Sequence, residues 1–406
     1  MTLKKYLSFL YKIIINKISI SFSTPKKNSL VLLDGTSLHD LQNVLNGLAY
    51  TTLEVRPEKI KKIYFSPEIV VHCFINIFKI FIKKNSNIST VYFYTLLKLI
   101  KPKIVFTFID NAGIFFNLAR LLENEIIFLA IQNGSRYDFL INIYELENKL
   151  IKIDKNKKFY IPHYICFGDV EIESSKKFNI NIKNFYKFGS LRLANFHEYL
   201  HNNKIKLKKF RYDLCLISEP ELGKNSALNV PIMENENANL AKYIIKFSIK
   251  HNSKFIFARK RFKGTPIYAR EYDFYKKYLN NSELQYLEKN FCERSSIFSS
   301  YKAVFESSVA IATSSTLLRE KIGCDEKILS VNLSNLNFWD FPLDGICKIN
   351  NCNYEEFEER LLKILNMSNT EYFNQISKNK NYIMTFSETK STIKKIKEKI
   401  NFFLND

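Results

Sequence analysis

The feature of this chain that most limits its fold is a unit that keeps returning: a short apolar run, a polar turn, then a helical pattern. Leu30–Leu33 stops at Asp34-Gly35-Thr36-Ser37 and leads into a helical pattern reaching Leu48. Lys103–Ile109 stops at Asp110-Asn111 ahead of a helix over Ile114–Leu122. Ile126–Ile131 stops at Gln132-Asn133-Gly134, and Tyr164–Phe167 at Gly168-Asp169. Near-continuous apolar strands separated by helices are those of a parallel sheet covered on both faces.

A second series begins near residue 210. Tyr212–Ile217 ends in Ser218-Glu219-Pro220, and a helix around Leu240–His251 precedes a strand over Lys254–Ala258, which ends in Arg259-Lys260-Arg261. Val309–Thr313 runs into Ser314-Ser315-Thr316 and a helix over Leu317–Ile322. Lys327–Asn332 closes the set, and Tyr354–Leu365 is an amphipathic helix. No internal repeat is present, and 406 residues exceed one ordinary core. The polar, Lys/Asn-rich stretch His197–Lys209 reads as the linker. The expected architecture is α/β, with two Rossmann-like domains facing a central cleft. It consists of a basic N-terminal helix over 1–27, a first domain over 28–200, a second over 208–385, and a C-terminal helix over 386–406.

Composition bears on partners. Hydrophobic residues at 46% and aromatics at 15% rule out a disordered chain. A net charge of +21 invites nucleic acid. Against that, the basic residues are scattered, with no Arg-rich arm, zinc knuckle or aromatic RNP-like strand. Only residues 1–30 are strongly biased, carrying Lys4, Lys5, Lys12, Lys17, Lys26 and Lys27 and no acid. Such a stretch is either a solvated basic face or one drawn to anionic lipid at about 1 kcal/mol per basic residue. Lys12 and Lys17 break the apolar stretch, and no small-residue cleavage site follows, so it does not read as a secretion signal. The run Ile69–Ile82 is short and broken by His72 and Lys79, which predicts a core helix rather than a membrane span. Seven cysteines without a CxxC pair read as buried small hydrophobes in a reducing compartment. The expected location is the cytoplasm, peripheral on the inner face of the plasma membrane if the basic stretch meets lipid and free of it if that stretch is a solvated face.

In open parallel sheets, ligands bind beyond the carboxyl ends of the strands, where every polar turn named above falls. Ser314-Ser315-Thr316 directly precedes a helix, whose free N–H groups and partial positive charge suit a phosphate. Glu320, one turn in, could accept from a ribose diol, and the alternative for both is a plain cap with a surface Glu. Arg259 and Lys260 would supply cations to a pyrophosphate or a sugar carboxylate; otherwise they form an ordinary basic turn. Asp110 is either a helix N-cap or an acid–base group. Asp34, Asn111 and Gln132-Asn133-Gly134 with Arg136 are polar turns that either border the cleft or are ordinary loop chemistry, around a Gly in the last case. His163, after Pro162 and ahead of a strand, is a loop residue or a base for an acceptor hydroxyl.

The stretches KPKIVFTFIDNAGIFFNLARLL, IIFLAIQNGSRYD, YICFGDVEIESSKKF, KFGSLRLANF and SYKAVFESSVAIATSSTLLREKIGCDEKILSVN together resemble surface carbohydrate biosynthesis proteins of the GT-B class, relatives of capsule and lipopolysaccharide transferases. The resemblance runs from about Leu30 to about Asn350 and rests on motif order. It implies an N-terminal acceptor domain, a C-terminal nucleotide-sugar domain and no metal or other cofactor. It also implies a lipid-linked or oligosaccharide acceptor. Ser314, Ser315, Thr316 and Glu320 would then face the nucleotide, and Gly189-Ser190 would sit at the domain junction. Retaining Kdo transferases, more distantly similar, carry a Glu-Asp-Gly turn followed by Arg, with the Asp as nucleophile. Here the equivalent turn reads Gln132-Asn133-Gly134, and an amide cannot attack an anomeric carbon as a carboxylate does. Either Asp110 or Glu219 takes the acid role, or the donor is not CMP-Kdo.

Two other function classes leave traces. His197-Glu198-Tyr199-Leu200-His201 matches the zincin motif, but it runs into Asn202-Asn203-Lys204 without a long apolar helix to bury a metal. A polyol phosphotransferase using a CDP-linked donor, or a basic scaffold on membranes or nucleic acid, completes the set of alternatives.

Overall fold

Each apolar run becomes a strand of one of two parallel sheets in the computed structural model, which describes residues 18–56, 60–81, 88–135, 160–177, 180–220, 234–334, 337–387 and 391–405. The first half runs β1 (Ser19–Ser21), β2 (Leu30–Leu33), α1 (Leu38–Leu45), β3 (Tyr50–Leu53), β4 (Lys62–Tyr64), α2 (Pro67–Phe81), α3 (Ile88–Ile100) and β5 (Ile104–Thr107). It continues with α4 (Gly113–Leu122), β6 (Ile127–Ile131), β7 (Tyr160–Cys166), α5 (Asp169–Lys177), β8 (Asn181–Lys187) and α6 (Leu191–Asn202). The second half runs β9 (Tyr212–Ile217), α7 (Glu234–Lys250), β10 (Phe255–Ala258), α8 (Pro266–Tyr278), α9 (Asn281–Lys289), β11 (Phe291–Cys292), α10 (Ser299–Phe305) and β12 (Ser307–Ala312). After α11 (Thr316–Gly323), β13 (Ile328–Asn332) and β14 (Lys348–Asn350) come α12 (Tyr354–Asn366), α13 (Asn369–Phe373), α14 (Lys380–Ile383) and α15 (Thr392–Asn405).

The first sheet has the order β3-β2-β5-β6-β7-β8 and the second β11-β10-β9-β12-β13-β14, with every pairing parallel. Each sheet reverses direction once, beside β2 in the first and between β9 and β12 in the second. A doubly wound sheet opens a crevice at that point. β2, β5, β10 and β13 are buried along their whole length, as strands covered on both faces must be.

The halves are tied together twice. Residues 203–211 link α6 to β9, and after α14 the chain crosses back so that α15 packs on the first sheet through Ile393, Ile396, Ile400 and Phe403. Backbone closeness makes this crossing possible. Gly189, at φ 85°, lies where a Cβ would come within 2.0 Å of the Thr385 carbonyl. Thr385 N–H in turn donates to the Phe167 carbonyl at 2.7 Å. Phe167, Leu193 and Phe196 of the first half share one apolar cluster with the second half.

Three expectations change here. The stretch 18–27 is not helical, because Ser19–Ser21 pairs in parallel with β4; residues 1–17 lie outside the described residues. The expected linker His197–Lys209 begins inside α6, whose last two turns take up 197–202. The core helix expected over Ile69–Ile82 forms as α2, but only one side is covered. Val70, Val71, Phe74, Ile75 and Phe78 are exposed.

Candidate active site

The turns after β2 and β6 face those after β9, β10 and β12 across a cleft of about 790 Å³. Thr36, Ser37, His39, Asp40, Gly134, Ser135 and Arg192 form the wall from the first domain. From the second domain come Ser218, Glu219, the Arg259–Phe262 turn, Arg294, Tyr301, Thr313–Leu317, Glu320 and Trp339.

At the switch point of the second sheet, Glu219 leaves β9 and reaches the turn that leaves β12. Its Oε2 accepts from the N–H groups of Thr313 (3.0 Å) and Ser314 (2.9 Å). Burial raises the Glu219 pKa, against the pull of Lys260 and the two amides. Ser315 caps α11, its Oγ accepting from Leu317 N–H at 3.4 Å. The Thr316 hydroxyl oxygen accepts from Ser135 N–H at 2.8 Å, so the turn after β6 rests directly on the start of α11.

Glu320 is placed one turn in, as its spacing predicts, but it is buried rather than a free surface group. Its Oε1 accepts from Ser190, which also caps α6, and from Tyr301 OH at 2.9 Å. Oε2 has no hydrogen-bond partner among the described residues. Ser190 thus stands at the domain junction. Burial lifts Glu320 to about 7, with the two hydroxyls and Arg192 pulling the other way. A carboxyl raised on folding favours the native state below its unfolded value of 4.5, and that contribution is lost as pH climbs to about 7. Glu320→Gln removes the titration, so between pH 5 and 8 the variant is expected to gain on the wild type by about 3 kcal/mol. Urea unfolding at both pH values measures this; parallel curves would refute the assignment.

Two charged groups in this wall were not singled out from the sequence. Arg261 and Arg294 both have a buried Nε without a hydrogen-bond partner among the described residues. Arg294 lies 4.3 Å from the Phe262 ring, and burial together with nearby Arg192 lowers its pKa. Lys260 is exposed beside them. Arg259, expected to serve as a free cation, is otherwise engaged. It is buried with its guanidinium 3.6 Å from the Tyr268 ring, donates to the Tyr268 carbonyl at 2.9 Å and pairs with Glu271 at 3.6 Å.

On the opposite wall a second missed group stands on the first turns of α1. Asp40 is buried, accepts from Arg192 Nε at 3.0 Å and lies 3.4 Å from His39 Nε2. Arg192 also donates to the Asn133 carbonyl at 3.0 Å, which fixes the turn after β6. The sequence offered a signal, since His39-Asp40 follows the turn of the first strand. A His and an Asp on a helix are too common to single out without the sheet order.

The other expected residues lie elsewhere. Asp110 is buried, its Oδ2 accepting from Tyr164 OH at 2.7 Å, and does not line the cleft. Asn111 is exposed beyond it. Asp34 caps the turn after β2 through Thr36 N–H at 2.9 Å and pairs with Arg56 at 2.5 Å, a structural arrangement at φ 72°. Gln132 is buried, bonding Glu171 at 2.9 Å and accepting from Phe167 N–H at 2.8 Å. Asn133 is not in the cleft wall itself, though its carbonyl accepts from Arg192. Arg136 lies outside the described residues. His163 is inside β7 rather than ahead of it, bonded to Tyr186 OH at 2.9 Å and edge-on to Phe403 of α15. Burial lowers its pKa. Within the zincin-like motif, Glu198 accepts from Asn43 at 2.7 Å and His197 packs against the Phe386 ring at 5.0 Å. Among the described residues no three His, Cys, Asp or Glu side chains stand together as metal ligands.

Two doubly wound parallel-sheet domains, facing across a cleft and relinked by a C-terminal helix that returns to the first, make this a GT-B fold. No family model matches the chain, and no curated protein matches its sequence. Among solved structures it is similar to the UDP-GlcNAc 2-epimerase of Neisseria meningitidis, with 13% identity and a TM-score of 0.48 over 93% of this chain and 99% of that one. It is also similar to the wall teichoic acid polymerase TagF, with 10% identity and a TM-score of 0.46 over 99% and 97%. The UDP-GlcNAc 2-epimerase of Methanocaldococcus jannaschii gives 11% identity and a TM-score of 0.44 over 92% and 99%.

Proposed function

We propose that the protein is a glycosyltransferase that moves a sugar from a nucleotide-activated donor to a growing surface polysaccharide, of the capsule or lipopolysaccharide kind. The observation that carries the reading is the pairing of opposite chemistries across one cleft. Lys260, Arg261 and Arg294 stand beside the start of α11, where leaving-group charge develops, and His39 with Asp40 stands on the other wall. In this reading the diphosphate or monophosphate ester lies between α11 and the three cations, which stabilise the departing nucleotide. Glu320 Oε2 accepts from the ribose. His39, held by Asp40, takes the proton of the acceptor hydroxyl as the new glycosidic bond forms. Asp110, buried against Tyr164, has no part in this scheme. The acceptor is an oligosaccharide or a lipid-linked glycan at the inner face of the membrane, where the basic N-terminus would also act.

The surplus of cations favours one second reading, transfer of a polyol phosphate from a CDP-linked donor, since a phosphoryl group moves with more negative charge than a glycosyl group. A thermal-shift panel of CMP-, CDP-, UDP- and GDP-linked donors separates them. One sugar-nucleotide class is expected to raise the unfolding temperature with saturable dependence on concentration. A shift with CDP-polyols alone selects the second reading. No shift with any donor, together with strongly salt-dependent DNA binding, would leave the basic scaffold.

A further inference from the structure

We infer that the exposed face of α2, with the edge formed by β1 and β4, docks the protein onto an anionic lipid bilayer. Among the described residues, nine of the thirteen large apolar side chains exposed to solvent fall between Ile20 and Ile88. Five of them, Val70, Val71, Phe74, Ile75 and Phe78, share one side of α2 at helical spacing. Phe74 and Phe78 stack edge-on at 5.3 Å. Phe22 and Phe65, 74% and 54% exposed, stand together just ahead of α2, because Phe65 N–H bonds the Ser21 carbonyl at 2.7 Å where β1 and β4 end together.

The helix cannot roll this face inward. Its other side is anchored on α3 by Ile69, Ile80 and a buried hydrogen bond from Asn76 to Thr95 at 3.0 Å. A monomer rarely leaves so continuous an apolar surface in water. Charge selects the occupant. From Ile60 to Ile100 the chain carries six lysines and one acid, Glu68, and the first 33 residues contain no acid at all. Lys61 and Lys62 are exposed at the start of β4, just ahead of α2. Apolar side chains rimmed by lysine match acyl chains beneath anionic headgroups. A second copy of the chain would bring the same lysines together and be repelled. The inference draws on the proposed function only for its purpose, which is to bring the first domain to a membrane-bound acceptor.

The experiment is co-sedimentation of the full chain with phosphatidylglycerol–phosphatidylcholine vesicles and with phosphatidylcholine alone, without nucleotide, so that its outcome is independent of donor binding. The wild type is expected to partition onto the anionic vesicles. Phe74→Ser with Phe78→Ser should lower the partition coefficient at least tenfold, since each buried Phe is worth roughly that factor. Lys61→Glu with Lys62→Glu should lower it severalfold on anionic vesicles and leave neutral ones unaffected. A Phe74→Trp variant should gain an emission that shifts blue on binding and is quenched by brominated lipid. Unchanged partition in the serine variant would overturn the inference. So would Phe74→Trp emission already shielded before vesicles are added, which would mean that another part of the chain covers the face. A dimer that the serine variant splits, seen by light scattering, would assign the face to a second copy and overturn it equally.

Discussion

Replacing Arg319 with methionine is expected to remove about 3–5 kcal/mol of stability, because it leaves a buried charge without its partner. Arg319, on α11 of the second domain, is fully buried. Its guanidinium bonds both oxygens of Glu171 on α5 of the first domain, at 2.6 and 3.1 Å. It also donates twice to the Ile383 carbonyl in the crossing segment, at 3.2 and 2.6 Å. Glu171 is held further by Gln132 at 2.9 Å and Gly168 N–H at 3.1 Å. One ion pair therefore pins three parts of the chain together. In urea unfolding, followed by the emission of the single tryptophan, Trp339, which lines the inter-domain cleft, Arg319→Met should move the midpoint far down. The double variant with Glu171→Gln should lose less than the two single losses combined, since the second change removes the charge the first one strands. A loss below about 1 kcal/mol for Arg319→Met would mean that the pair is exchangeable with solvent.

This network explains what the sequence shows and what it hides. The strands were legible because a fully covered parallel strand must be apolar along its whole length, as Leu30–Leu33 and Phe255–Ala258 are. The two-domain division and the turns at the strand ends follow from the same pattern. Which polar residue in a turn faces the cleft does not follow, since it depends on sheet order. Asp110 and Asp34 end strands as visibly as Glu219 does, yet one is held by Tyr164 and the other by Arg56. Gln132 looked like part of an acceptor turn and is instead bound to Glu171, 39 residues away. Arg294 follows β11, a strand of two residues that no apolar run announces. His39 and Asp40 matter only because the first sheet reverses beside β2. The apolar run in α2 was visible, but burial on one side and exposure on the other are indistinguishable in a segment apolar all round.

The cation wall makes the second large prediction. Arg261→Gln with Arg294→Gln should weaken the binding of a nucleoside diphosphate about 100-fold or more, as charge-assisted hydrogen bonds contribute roughly 1.5–3 kcal/mol each. The two guanidinium groups stand in one cleft with Lys260 and Arg192, and Arg192 is paired there with Asp40. Burial and the neighbouring Arg192 both disfavour the charge on Arg294, so its pKa is already pushed down without any ligand. Like charges held this way cost stability until an anion arrives. The variant should therefore be as stable as the wild type, or more so, when no ligand is present. Calorimetric titration should show the affinity loss, and its dependence on salt should flatten as two of the interacting charges disappear. A general packing role for these residues would give the opposite pattern, lower stability with or without nucleotide. Unchanged affinity for CDP, UDP and GDP alike would remove the cation wall from the binding of the donor.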